Sequence, residues 1–158
     1  GFDNIIILIP YCRTPEEAKR VIDVMEQHGL KKNEGGLQIY AMAEVPSNII
    51  LTEDFCDYFD GLSIGSNDLT QLVLGVDRDS AELSYLFDEN HKAVKNAISS
   101  LIASAHKKGC KVGLCGQAPS DNPEFAEFLV KANIDSISVN PDSVLQVIDH
   151  VSKAEGER

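Results

Sequence analysis

The sequence predicts an α/β protein built from about five β/α units of a (β/α)8 barrel, on three observations. First, five short strand-like runs alternate with five helical stretches along the 158 residues, the pattern of a parallel sheet with right-handed crossovers. Second, chemically capable residues follow every run: Tyr11, Cys12 and Arg13; Glu44; Ser66, Asn67 and Asp68; Cys115, Gly116 and Gln117; and Asn140. Third, there is no GxGxxG fingerprint and no P-loop to place a nucleotide at a switch point. Length alone favours a doubly wound sheet, because a full barrel takes ~250 residues. In a doubly wound sheet, however, only the strand ends beside the switch point converge, whereas in a barrel all of them ring one mouth. The reactive strand ends therefore decide for the barrel.

Each element has a local reason. Asn4 to Ile9 is a β-branched run suited to a buried parallel strand. Thr14-Pro15-Glu16-Glu17 then combines a cap, a proline at the first helical position and a capping-box glutamate, for a helix running to about Gln27 and stopping at Gly29. Lys31 to Gly36 is a polar, glycine-rich turn. Leu37 to Ala43 is the second strand, and Ser47 to Tyr58 has the composition of one helix. Leu62 to Ile64 is the third strand, Asp68 to Leu74 a short helix, Val76 to Ser80 a charged loop, and Glu89 to Lys108 a long helix with helical apolar spacing. Lys111 to Leu114 is the fourth strand, and Asn122-Pro123-Glu124 caps a helix over Phe125 to Lys131. Ser136 to Val139 is the fifth strand, Asn140-Pro141 opens a helix to about Lys153, and the AEGER tail is expected to fray.

Fourteen Lys and Arg against twenty-five Asp and Glu leave a net charge of −11, which argues against a nucleic-acid or anionic-membrane surface. The excess acid lies along helices, as solvated faces. The longest uninterrupted apolar run, Ile5 to Ile9, is far shorter than the ~20 residues that span a bilayer, and nothing resembles a signal peptide. Cys12, Cys56, Cys110 and Cys115 show no zinc-type spacing, so reduced thiols and a cytoplasmic protein are expected. The chain begins with Gly and enters a strand within four residues, as a piece of a longer protein would.

The strongest chemistry sits in Phe59 to Arg78. Glu44 and Asp68, on neighbouring strand ends, can share one Mg²⁺ or Mn²⁺, which prefers oxygen ligands, or can be solvated acids at helix N-termini. Asn67 can bind substrate or cap the helix that follows. Arg78 can clamp a phosphate or carboxylate with its planar fork, or lie solvated in its loop. Cys115, at a strand end, can exchange a proton with a substrate carbon or be an inert thiol; Cys12, Cys56 and Cys110 fit the inert reading better. His28, His91, His106 and His150 fall in or beside helices among charged residues and read as surface.

With its GSNDLTQ centre, DGLSIGSNDLTQLVLGVDRDS resembles a long, mostly non-degenerate motif of the phosphoenolpyruvate-utilising enzymes, a family that includes a synthase, a dikinase and enzyme I of the bacterial sugar phosphotransferase system. LIPYCRTPEE, MAEVPSNI, VGLCGQAPSD and IDSISVNPDS are also similar to family segments, in family order, and CGQAPSD points to the synthase (pyruvate, water dikinase) branch.

The resemblance implies the C-terminal portion of the (β/α)8 barrel, from about the fourth strand to the eighth, as a partial domain over residues 1–158 that binds pyruvate or phosphoenolpyruvate. It implies Glu44 and Asp68 as Mg²⁺ (or Mn²⁺) ligands, Asn67 and Arg78 with Gly65 and Ser66 as substrate-binding residues, and Cys115 as the catalytic acid/base. Bound metal would polarise the keto oxygen of pyruvate, and the enolate would take a phosphoryl group from a phosphohistidine on another domain. The nucleotide-binding domain, the phosphohistidine domain and the first barrel strands lie outside these residues, so the chain alone is expected to be inactive. Two unpaired sheet edges lead to the expectation of a homo-oligomer. Two rival readings are a Mg²⁺-dependent pyruvate aldolase, which has no use for Arg78 or Cys115, and a half-barrel that only binds.

Overall fold

The computed structural model describes residues 4–156. Strands β1 (Ile6–Ile9), β2 (Gln38–Ala43), β3 (Gly61–Ile64), β4 (Lys111–Cys115) and β5 (Ser136–Ser138) form one sheet in the order β1-β2-β3-β4-β5, every neighbouring pair parallel. That order settles the architecture. A doubly wound sheet reverses its strand order at the switch point, while a barrel adds each strand beside the last.

Register sorts the side chains onto two faces. Ala43, Ile64, Leu114 and Ile137 pair across one row and face the helices; Met42, Ser63, Gly113 and Ser136 pair across the next and face the other way. The helix-facing side is the core, where Ile39, Leu62, Ile64 and Leu114 are buried with Phe55, Leu69, Ile98, Leu101 and Phe125. Each such side chain contributes about 1.5–3 kcal/mol by leaving water. The opposite face is the barrel lumen. A side chain at Gly61 would run into the Tyr40 ring, and a Cβ at Gly113 would come within 2.5 Å of Ser136 Oγ, so glycine makes room for the neighbouring strand's side chain.

The helices are α1 (Pro15–Gln27), α2 (Pro46–Ile50), α3 (Thr52–Cys56), α4 (Ser66–Leu74), α5 (Lys92–Lys107), α6 (Ala118–Asp121), α7 (Pro123–Lys131) and α8 (Val144–Gly156). Thr14 caps α1 by accepting from Glu17 N at 3.1 Å, but Glu17 returns to Arg13 N at 2.7 Å rather than to the cap residue itself. The single helix expected over 47–58 is two. Thr52 Oγ1 donates to the carbonyls of Asn48 and Ile49 at 2.8 and 2.9 Å, competing with the backbone ladder, and Leu51 leaves helical geometry at φ −111°. Helix α4 begins at Ser66, two residues before the expected Asp68, with Gly65 as its cap position. Helix α5 begins later than the expected Glu89, because His91 Nδ1 accepts from Ala93 N and caps it. The short helix α6 and the 3-10 turn Ser84–Leu86 carry no strong apolar period and have no counterpart in the sequence reading, whereas the 3-10 turn Glu34–Gly36 falls in the expected turn over 31–36, and the helix expected to open at Asn140-Pro141 begins with the 3-10 turn Pro141–Ser143 ahead of α8. Ala154, expected in a frayed tail, is buried in α8, which is helical to Gly156; Glu157 and Arg158 lie outside the described residues.

Both sheet edges are apolar. Ile5 and Ile6 at the β1 edge are 52% and 51% exposed, and Leu145 and Ile148 on α8 are 83% and 57% exposed. A groove of about 540 Å³ lies between β5 and α8, lined by Val130, Ile137, Val139, Val147 and Val151 among others. It sits where barrel closure puts the next β/α unit. Among the described residues, no helix is long and apolar enough to cross a membrane.

Candidate active site

The carboxyl ends of β2, β3 and β4 bring most of the sequence-predicted residues together. Glu44 follows β2 and is buried at 3% exposure. Its Oε1 accepts from Tyr11 N at 2.7 Å, and Tyr11 takes the left-handed conformation, φ 51°, that aims its N–H there. Burial pushes the Glu44 carboxyl above the ordinary range; the Tyr11 N–H lowers it in part, and the facing Asp68 carboxylate raises it again. Gly65 matters for space, since a Cβ there would lie 2.8 Å from Glu44 Oε2 and 3.0 Å from Glu44 Cβ.

Helix α4 opens with no side-chain cap, so the N–H groups of its first turn remain directed at the mouth. Ser66, Asn67 and Asp68 occupy that turn, Ser66 fully buried with a hydroxyl that has no hydrogen-bond partner. The Asn67 amide sits between Glu89 Oε1 and Arg78 Nη1, and its orientation is assigned from these neighbours: nitrogen to the carboxylate at 3.2 Å, oxygen to the guanidinium at 3.3 Å. Arg78 is on an exposed loop, yet its backbone N donates to Gln71 Oε1 at 3.2 Å, so α4 itself holds the loop against the site.

Cys115 ends β4, half-buried, with its thiol 3.6 Å from the Ile64 carbonyl. The next residue, Gly116, packs against Ser66 so closely that a Cβ would collide with the hydroxyl. The other strand-end candidates stand apart. Arg13 stacks over the Tyr11 ring at 4.9 Å and pairs with Glu17, and Asn140 N donates to Ser120 Oγ at 3.0 Å. Of the remaining thiols, Cys12 and Cys110 are buried, and burial chiefly raises the Cys12 pKa. Cys56 is half-buried beside Cys110, and the hydrogen bond between the two thiols pushes Cys56 far up and Cys110 down.

Three residues at the site escape sequence reasoning. Asn48 is buried; its Oδ1 accepts from Glu44 N and Val45 N at 3.1 and 2.9 Å, and its Nδ2 donates to Cys12 O at 2.8 Å, locking the β1 and β2 ends together. Gln71 and Glu89 are the other two. A polar residue within a helix or turn carries no local mark of being turned inward; Gln71, inside the GSNDLTQ run, and Asn48, inside MAEVPSNI, had a signal that could have singled them out, and Glu89 had none.

Glu44 and Asp68 suit a divalent cation. A buried carboxylate facing a second one, its charge opposed by burial and by that neighbour, is relieved by a hard cation between them. Among the described residues no group of three or more His, Cys, Asp or Glu gathers as a metal cage. Two protein carboxylates with the remaining positions left to water and substrate is the mode Mg²⁺ and Mn²⁺ accept.

The family described as PEP-utilising enzyme, PEP-binding domain, matches residues 2–155. The phosphoenolpyruvate synthase of Aquifex aeolicus is 59% identical over 148 residues, covering 94% of this chain and 17% of the relative. Those of Synechocystis and Escherichia coli are 56% and 53% identical over 155 and 146 residues, covering 98% and 92% of this chain and 19% and 18% of the relatives. The chain thus spans under a fifth of the length of these three relatives. Among solved structures, a HpcH/HpaI aldolase/citrate lyase family protein from Burkholderia cenocepacia superposes with a TM-score of 0.64 at 15% identity, over 97% of this chain and 65% of that one. RipC from Yersinia pestis gives 0.66 at 9% identity, over 92% and 63%. At such identities the likeness speaks of fold alone, and the share covered is about the five eighths that five units make of a barrel. Matched across nearly its whole length, the chain belongs to the PEP-utilising enzymes, as their PEP-binding domain.

Proposed function

We propose that residues 1–158 are the C-terminal part of the pyruvate/phosphoenolpyruvate-binding barrel domain of a cytoplasmic phosphoenolpyruvate synthase, in which a phosphoryl group passes from a phosphohistidine on another domain to pyruvate. One observation carries the reading: the Asn67–Arg78 contact lies on the same α4 turn as Asp68, beside Glu44 and Cys115. It places groups suited to a phosphoryl oxygen next to groups suited to a metal-chelating 2-oxo acid. The name of the relatives supports a synthase over an aldolase, and an aldolase has no use for an arginine folded onto Asn67.

Glu44 and Asp68 are the residues that would hold Mg²⁺ or Mn²⁺, which when bound would supply Lewis-acid chemistry to a 2-oxo acid. Cys115 accepts the proton that leaves the methyl carbon of pyruvate, on the side of the site formed by the β3 and β4 ends. Arg78, Asn67 and the uncapped N–H of Ser66 neutralise the phosphoryl oxygens in transit, while Gly65, whose own N–H donates to Ala43 O at 3.2 Å, leaves the substrate room beside Glu44. The first barrel units and the ATP-binding and phosphohistidine domains are supplied by the longer protein, and the apolar β1 and β5 edges are covered there by barrel closure or, in the isolated chain, by a second copy.

The test is ATP- and Mg²⁺-dependent formation of phosphoenolpyruvate from pyruvate by the full-length protein carrying this chain, with none from the 158-residue chain alone. A full-length protein that instead cleaves or forms carbon–carbon bonds of 2-oxo acids would sink the proposal.

A further inference from the structure

One acidic side chain at the mouth has none of the roles above. Glu89 lies in the turn ahead of α5 and is half-buried. That turn is fixed from within: Asp88 Oδ1 accepts from Asn90 N at 2.9 Å, and His91 N donates to Asp88 O at 3.0 Å. The Glu89 carboxylate is thus presented from the α5 side to residues that come from α4. The Asn67 amide lies between Glu89 Oε1 and Arg78 Nη1, and the orientation that satisfies both is the one assigned to it, nitrogen 3.2 Å from the carboxylate and oxygen 3.3 Å from the guanidinium.

We propose that Glu89 is the positioning residue of the phosphate clamp: by accepting from the Asn67 amide it keeps the amide oxygen toward Arg78 and so holds the guanidinium over the first turn of α4. The proposal rests on the reading of Asn67 and Arg78 as phosphate contacts.

The chemistry follows from donor and acceptor counts. An ionised carboxylate only accepts and a guanidinium only donates, so an amide between them has one satisfying orientation. Without Glu89 the amide is free to turn its NH₂ toward Arg78, where two donors face each other. Arg78 would then return to the solvated ensemble of an exposed loop, and a freed arginine side chain has rotamer entropy to lose on each capture of a phosphate. Burial, with Asp121 and Asp88, raises the Glu89 pKa, while Arg78 acts against it. A carboxylate kept in such a place against its own desolvation fits a positioning duty better than a solvent-facing one.

The experiment uses the full-length protein carrying this chain and the variants Glu89→Ala, Glu89→Gln, Arg78→Ala and the double variant Glu89→Ala with Arg78→Ala. The readouts are KM for phosphoenolpyruvate, kcat, and Mn²⁺ affinity. The expected result is a rise of about tenfold in KM for Glu89→Ala with a smaller change in kcat, partial recovery in Glu89→Gln, whose amide oxygen can still accept, and unchanged Mn²⁺ affinity. In the double variant the Glu89 effect disappears, because the residue it positions is gone. Effects of the two single changes that multiply in the double variant, or a Glu89→Ala enzyme with KM unchanged, overturn the proposal. If Arg78→Ala itself leaves KM unaltered, the phosphate-clamp reading fails first. A Glu89→Ala protein that loses Mn²⁺ binding as well shows a general structural role and also overturns it.

Discussion

Gly116 has no room for a side chain because the Ser66 hydroxyl occupies the space its Cβ would take. This contact joins the end of β4, which carries Cys115, to the first turn of α4, which carries Asn67 and Asp68. Gly116→Ala forces Ser66 or the strand end to move. The expected cost is about 1–3 kcal/mol, a fall of several degrees in the midpoint of thermal unfolding, with activity of the full-length protein lost beyond what the stability change explains. Calorimetry and initial rates at a temperature well below the midpoint separate the two effects.

Glu44 is destabilising in the absence of a cation. Burial, with Asp68 opposite, raises its pKa, so the native chain keeps a proton where the unfolded chain has released it. Stability from this group is present below the ordinary carboxylate range and is lost as pH rises through the raised value. Glu89, whose pKa burial also raises, acts in the same direction. Glu44→Gln retains an oxygen for the Tyr11 N–H and removes the charge. The variant is expected to be more stable than the parent at neutral pH by roughly 0.5–2 kcal/mol, with the difference shrinking toward about pH 4. Denaturant titrations across that range measure it. The same variant should lose the stabilisation that Mn²⁺ gives the parent.

Cys115 faces the site from β4 without an acid or base bonded to its thiol among the described residues, apart from the Ile64 carbonyl. Cys115→Ala is expected to slow exchange of the pyruvate methyl protons with solvent deuterium by about 10²- to 10⁴-fold in the full-length protein, while phosphoenolpyruvate still binds. Exchange followed by proton NMR at wild-type speed would remove Cys115 from the mechanism.

Asn48 ties three backbone groups from two strand ends, and each loses a buried partner in Asn48→Ala. The expected destabilisation is about 2–4 kcal/mol. Because Glu44 N is one of the three, Mn²⁺ affinity should fall as well, which titration calorimetry can follow.

The fold was legible where local signals agree. The five strand-like runs, the cap at Thr14 and the Asn122-Pro123 start of α7 appear where pattern and capping chemistry put them. The break at Leu51 was not, because it arises from a threonine hydroxyl bonding backward to carbonyls of its own helix, a choice composition does not record. The start of α4 was misplaced for a related reason: Gly65 leaves the helix uncapped, so no capping residue marks where it begins.

The site divides in the same way. The sequence by itself determined the alternation of strands and helices, the reactive residues after each strand, and the GSNDLTQ run with Arg78 beyond it, because these depend on residue type and spacing along the chain. Tertiary structure decided which of them meet. It set Glu44 against Asp68, closed Gly116 on Ser66, and turned Asn48, Gln71 and Glu89 inward to hold the rest. The inward turn of a polar side chain is fixed by partners from other strands and helices, which only the folded sheet brings within hydrogen-bond reach.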